Sequence, residues 1–211
     1  MEIGIIGSGN MGKALARLLS QKNHIVTLGT RRPVEIKQWI IKNELKLKTA
    51  SHKEAAAAND IILLVTAYRE TRDIVLGLGD LSGKILVDCT NPEDPDHNYE
   101  HRRGAEISWS EEIASWIPTA SVVKAFNHVY GSMLIKGTSF GGGQASLFYC
   151  GDHEQAKSTV ATLARDLELD PIDVGMLKRA RQLEPLAELL VHLASRPDSD
   201  GGDLAFKLLT R

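Results

Sequence analysis

Two cysteines in 211 residues, Cys89 and Cys150, are too few for a disulfide framework. Each closes an apolar, strand-like run, which fits buried, reduced thiols better than redox centres. No apolar run approaches the roughly 20 residues that span a bilayer. A formal net charge of −2 offers no basic footprint for nucleic acid or anionic lipid. There is no internal repeat and no low-complexity linker. The first apolar run opens at Ile3, so no signal peptide is expected ahead of the fold and a cytoplasmic location follows. What remains is ordinary globular composition, 43% hydrophobic and 25% charged. The length suits one substantial core, or a core with a small appendage.

The informative stretch is Ile3–Gly12, I-G-I-I-G-S-G-N-M-G. Gly7, Gly9 and Gly12 form G-x-G-x-x-G after an apolar strand and before a helix, Lys13–Lys22, whose Leu15, Leu18 and Leu19 lie on one stripe. In this motif the first glycine permits a sharp turn. The second lets the backbone approach a pyrophosphate, and the third lets helix and strand pack closely. Amides at the helix start, with the positive end of the helix dipole behind them, suit phosphate. The pattern predicts a Rossmann-type dinucleotide fold.

The strand His24–Gly29 follows, and its end discriminates between dinucleotides. Binders of NAD place an acidic residue there for the ribose 2′-hydroxyl. Here the chain reads Thr30-Arg31-Arg32-Pro33. Guanidinium groups match phosphate oxygens and Pro33 suits a first helical turn, so NADP is favoured.

Farther on, Val34–Glu44 reads as a helix with Ile36, Trp39 and Ile40 on its apolar stripe. Ser51 and Glu54 form a capping box for the helix Ala55–Ala58. Asp60–Thr66 is almost continuously apolar, as a parallel strand buried on both faces should be. Its carboxyl end, Thr66-Ala67-Tyr68-Arg69, should border the cofactor, although Tyr68 and Arg69 equally suit a helix start. Lys84–Asp88 is another strand, followed by Cys89-Thr90-Asn91-Pro92, with Asn91 grouped among the cofactor contacts. The long connection 93–107 carries His97 and His101, which read as solvated loop rather than metal ligands. Ser108 and Glu111 form a second capping box, for a helix that runs to Trp116.

Ser121–Phe126 is a strand that delivers Asn127 and His128 to the cleft mouth. There His128 suits either proton transfer or a structural hydrogen bond. Gly141–Gly143 reads as a flexible turn. The strand Ala145–Cys150, helix Glu154–Glu168, strand Pro171–Val174 and helix Leu177–Ala194 continue the alternation. Leu204–Leu209 reads as a short helix. The expected architecture is α/β, a Rossmann-type doubly wound, mostly parallel sheet with a small C-terminal α/β extension. One domain over 1–211 is expected, its core in 1–135 and its extension, 136–211, completing the sheet and a second-substrate cleft. The leucine stripe of 183–193 suits either a homodimer or the core.

No Tyr-x-x-x-Lys pair exists, which removes the short-chain dehydrogenase mechanism. Nor is a long helical domain of the hydroxyacid or 6-phosphogluconate type expected from these 211 residues. Hydride transfer between planar rings fits what remains, because the protein must mainly stack and align them. The turn G-S-G-N-M-G, the T-R-R-P end of the second strand, Val122–Asn127, Cys150-Gly-Asp, Pro171–Gly175 and Arg181–Glu184 resemble the coenzyme F420-dependent NADP oxidoreductases. The same segments are similar to the cytoplasmic reductase domain of six-transmembrane metalloreductases, which pass hydride from NADPH to a flavin. The stretch Pro92–Ile107 departs from the deazaflavin pattern.

The resemblance implies that Ser8, Gly9, Asn10 and Met11 hold the pyrophosphate, and that Thr30, Arg31 and Arg32 hold the 2′-phosphate. It further implies that Thr66, Ala67 and Tyr68, with Asn127 to Gly131, border the nicotinamide and its ring partner. No dedicated catalytic acid is implied. The partner is F420 or a flavin (FMN or FAD), and a flavin reductase would act on ferric complexes downstream. A non-catalytic NADP sensor is the reading from another class.

Overall fold

The computed structural model describes residues 1–94, 100–101, 106–197 and 203–211. His97, and the side chain of His101, lie outside the described set. Eight strands build one sheet: β1 (Glu2–Ile6), β2 (Ile25–Gly29), β3 (Lys48–Ala50), β4 (Ile61–Leu64), β5 (Ile85–Asp88), β6 (Ser121–Lys124), β7 (Ser146–Gly151) and β8 (Asp170–Asp173). Their spatial order is β8-β7-β6-β5-β4-β1-β2-β3. Every neighbouring pair is parallel except β6 and β7. This is the expected doubly wound α/β sheet. Its direction of growth reverses between β1 and β4, and ligands of such sheets bind in the crevice at that reversal.

The helices are α1 (Asn10–Gln21), α2 (Pro33–Lys42), α3 (His52–Ala57), α4 (Tyr68–Gly77), α5 (Trp109–Trp116), α6 (Gly131–Lys136), α7 (Glu154–Asp166) and α8 (Ala180–Ala194). Strand side chains alternate between faces, so the two cores follow from sequence parity. Ile3, Ile5, Leu63, Val87 and Val123 pack with Leu15 and Leu19 of α1 and Val160 and Leu163 of α7. Ile6, Ile62, Leu64, Leu86 and Val122 pack with Ala55 of α3, Val75 of α4 and Ile113 of α5. All four residues of β4 are buried, which is why that run lacks a polar face.

Both capping boxes form. Ser51 and Ser108 each accept the backbone N–H of the glutamate three residues on, and each glutamate accepts the serine N–H in return. Gly141 and Gly142 turn between two short antiparallel pieces, Ser139–Phe140 and Gly143–Gln144.

One expectation fails. Leu204–Leu209 is not helical but runs as irregular chain beside the start of β7: Ser146 N donates to Phe206 O at 2.8 Å, and Leu208 N to Ser146 Oγ at 3.0 Å. Six residues close too few i to i+4 bonds to hold a helix, whereas the start of β7 offers open backbone groups. The last long helix also starts later than Leu177, because Leu177–Arg179 is a separate 3₁₀ turn. At the sheet's outer edge, β8 turns the N–H groups of Asp170 and Val174 toward β7, where Ala145 O and Tyr149 O accept them, both at 2.9 Å. By alternation Pro171 and Asp173 face outward. Among the described residues, no helix is long and apolar enough to cross a membrane.

Candidate functional site

The glycine turn after β1 is built as tightly as its spacing implies. Gly7 has φ +119°, and a Cβ there would sit 2.4 Å from Val65 O. A Cβ on Gly12 would fall 2.0 Å from Gly7 O, so α1 rests directly on the turn. Gly9, the residue before α1, has open space around its Cα. Ser8 Oγ and Thr30 Oγ1 lie 2.8 Å apart and tie this turn to the end of β2, and Thr30 Oγ1 accepts Arg32 N at 3.0 Å. A cavity of about 210 Å³ opens here, lined by Gly7, Ser8, Gly9, Arg31, Arg32, His52 and Glu70 among others. No carboxylate closes β2 itself. Glu70 instead reaches Arg31 from α4, with Arg31 Nη2 donating to both carboxylate oxygens at 2.7 and 2.8 Å.

Thr66 and Ala67 line this cavity and also a second one, of about 390 Å³. Into the second the fold brings Met11, Tyr68, Asn91 and Asn127. Its far wall is Ala187, Leu190 and Val191 of α8, which the sequence reading did not assign to the site. Tyr68 is backed by Trp109, ring centroids 4.6 Å apart. Asn10 and Gly131 line neither cavity but adjoin Met11, since a Cβ on Gly131 would lie 3.2 Å from Asn10 O and from Met11 Cα. They line a third hollow with Lys13, Arg17 and Trp39. Gly12 is buried beneath the turn, and Thr30 acts through Ser8.

Beyond β6 the backbone turns sharply, since Phe126 has φ +62°, rare for an aromatic residue. This directs Asn127 and His128 into a closed amide network. Asn127 Nδ2 donates to Asn91 Oδ1 (2.9 Å) and Leu183 O (2.8 Å), and Asn91 Nδ2 donates to Asn127 O (2.8 Å). Phe148 N donates to His128 Nε2 at 3.2 Å, so Nδ1 carries the proton and donates to Asn127 Oδ1, also at 3.2 Å. His128 is therefore a structural group rather than a proton carrier.

Burial pushes the His128 imidazole down to about 4. Its folded value lies below the unfolded one, so the native state binds fewer protons and stability falls as pH drops from about 6.5 toward 4. We expect the His128 ring resonances to stay at neutral-imidazole shifts down to about pH 5 in an NMR titration. Full protonation near pH 6.5 would contradict this assignment.

Below the same loops lies a charge cluster with no counterpart among the predicted site residues. Asp88 and Lys124 face each other in register on β5 and β6, both wholly buried. Lys124 Nζ donates to Asp88 Oδ2 (2.9 Å) and Thr90 O (2.5 Å) and lies 3.6 Å from Glu184 Oε1 of α8. Asp88 also accepts Thr90 N, Thr90 Oγ1 and Ser110 Oγ. Glu184 accepts Trp109 N and Ser110 N at the start of α5. Burial alone would lower the Lys124 ammonium, but Asp88 and Glu184 hold it above its ordinary value. Burial raises Glu184 in spite of Lys124.

The signal for this cluster was present, since Asp88 and Lys124 are charges placed inside apolar strands. At the cavity wall, burial and the nearby Glu188 push the Glu93 carboxyl up. Both thiols are free and inert: burial raises Cys89, and lifts Cys150 to about 12.

Comparison with known proteins places this fold. Residues 2–92 match the model of the NADP oxidoreductase, coenzyme F420-dependent family. The chain is 33% identical to metalloreductase STEAP3 of Rattus norvegicus over 186 residues, 88% of this chain and 36% of that protein. It is 31% identical to metalloreductase STEAP2 of Homo sapiens over 185 residues, 87% of this chain and 35% of that one. The chain thus spans only about a third of these curated relatives. A crystal structure from Arthrobacter sp. FB24, provisionally described as an F420-dependent NADP reductase, superposes with a TM-score of 0.90 at 29% identity. That match covers 100% of both chains.

Proposed function

We propose that this chain is an NADP-dependent oxidoreductase that transfers a hydride between NADPH and a deazaflavin of the coenzyme F420 type, a reading supported by the family match of residues 2–92. The observation that carries the reading is the 390 Å³ cavity joined through Thr66 and Ala67 to the cleft over Gly9. Its volume lies in the range of small-molecule sites.

The residues of the cleft fit a 2′-phosphorylated dinucleotide. Open space at Gly9 adjoins the amino end of α1, and Arg31 and Arg32 line the same cavity with guanidiniums that suit a 2′-phosphate. When bound, NADPH supplies the hydride. The protein's part is alignment and exclusion of water. Met11, Tyr68 and the α8 residues form apolar walls, and the Asn91–Asn127 amides are held rigid by backbone acceptors. Stacked rings need orientation more than acid–base help, which agrees with a structural His128.

The full-length match to the Arthrobacter protein favours F420 as partner. The 33% identity to a metalloreductase supports a second reading, hydride transfer to FMN or FAD. Anaerobic NADPH oxidation with F420, FMN, FAD and riboflavin separates them. We expect a rate with F420 well above any flavin. Turnover with flavins alone would move the chain to the second reading. NADPH binding without turnover would leave a sensor.

A further inference from the structure

The two arginines after β2 are both paired, but in different ways. Arg32 Nη1 meets Glu35 Oε2 at 3.1 Å, one turn along its own helix. Arg31 reaches across the cleft to Glu70 in the first turn of α4, 39 positions later. That pair joins the two lips of the 210 Å³ cavity. It uses a single nitrogen, Nη2, for both carboxylate oxygens. Nε and Nη1 carry the remaining N–H groups of the guanidinium. Among the described residues, nothing accepts from them.

Nη2 belongs to both two-pronged edges of a guanidinium, because Cδ fills the side between Nε and Nη1, so each remaining N–H group can meet a phosphate oxygen singly. Glu70 therefore leaves Nε and Nη1 of Arg31 as single donors to a phosphate and fixes the plane in which they lie. Ordering a long side chain before the ligand arrives removes part of the entropic cost of binding. His52 of α3 faces the same pair. Burial and Arg31 lower its imidazole, so at neutral pH it does not compete as a cation for Glu70.

We propose that Glu70 is a positioning residue for cofactor choice: it braces Arg31 for the 2′-phosphate and so favours NADPH over NADH. The inference rests on the reading of this cleft as an NADP site. Calorimetric titration of wild type and Glu70→Gln with NADPH and with NADH tests it. An exposed ion pair sets the scale, so Glu70→Gln is expected to weaken NADPH by about three- to fivefold and NADH by less than about twofold. In an Arg31→Met background the same substitution should change neither. Tighter NADPH binding by Glu70→Gln would make the carboxylate a competitor and overturn the proposal. Equal losses for both cofactors would reduce Glu70 to a fold residue, which also overturns it. Wild-type protein without a preference for NADPH would overturn the cofactor reading itself, and that failure is visible before any variant is made.

Discussion

Lys124→Met is expected to remove about 3–5 kcal/mol of folding stability, read from urea denaturation at pH 7. Whole domains hold only about 5–15 kcal/mol, so the variant should be marginal. The loss does not come from a missing contact alone. Asp88 and Glu184 remain buried beside an apolar side chain, and neither can ionise cheaply without the ammonium. Among the described residues, Asp88 retains Thr90 and Ser110, whereas Glu184 keeps two backbone amides.

Glu184 should therefore escape by protonation, with a folded pKa raised further above its unfolded value. The sign follows: its contribution is intact below the unfolded value near 4.5 and is lost as pH rises. The deficit of Lys124→Met should accordingly shrink as pH falls from 7 toward 5. Adding Glu184→Gln should restore part of the stability at pH 7, because the second charge is then absent. A variant as stable as wild type at pH 7 would mean the ammonium does not neutralise its neighbours.

Gly12→Ala and Gly9→Ala should fail in opposite ways. The Gly12 substitution puts a methyl 2.0 Å from the Gly7 carbonyl oxygen, backbone against backbone, so α1 must lift off the turn. We expect at least about 3 kcal/mol of destabilisation, the upper end for overpacking. Gly9 has φ −73° and no atom near its would-be Cβ. Its alanine variant should melt with wild type yet bind NADPH at least about tenfold more weakly, some 1.4 kcal/mol. Thermal melts paired with NADPH titration separate the two effects. Wild-type NADPH affinity in Gly9→Ala would show that the pyrophosphate does not lie over this residue.

Features written in neighbouring residues were legible from the start. The glycine turn, both capping boxes and the buried run of β4 depend on local spacing and parity. Thr30-Arg31-Arg32 was legible for the same reason. The short elements β3 and α6 were not, since three or six residues carry too little periodicity. The cluster of positions 88, 124 and 184 depends on strand register and on where α8 docks. An amphipathic stripe announces that a helix is buried but not against what, so the α8 wall stayed hidden. Glu70 likewise meets Arg31 only because the sheet sets α4 beside the end of β2. His128 could be read two ways until Phe148 N was found on its Nε2.

Pro171 has a consequence for crowding. An edge strand recruits another chain through its outward amides, and on β8 one of the outward positions, Pro171, has no amide hydrogen to offer. The next outward residue, Asp173, brings a carboxylate already held by Lys157 at 2.9 Å. At the opposite border β3 is only three residues long and begins with a lysine. Neither border gives a neighbouring molecule a rail to zip onto. Native copies should therefore resist growing into ribbons, and any lasting assembly has to be sealed through helices or loops.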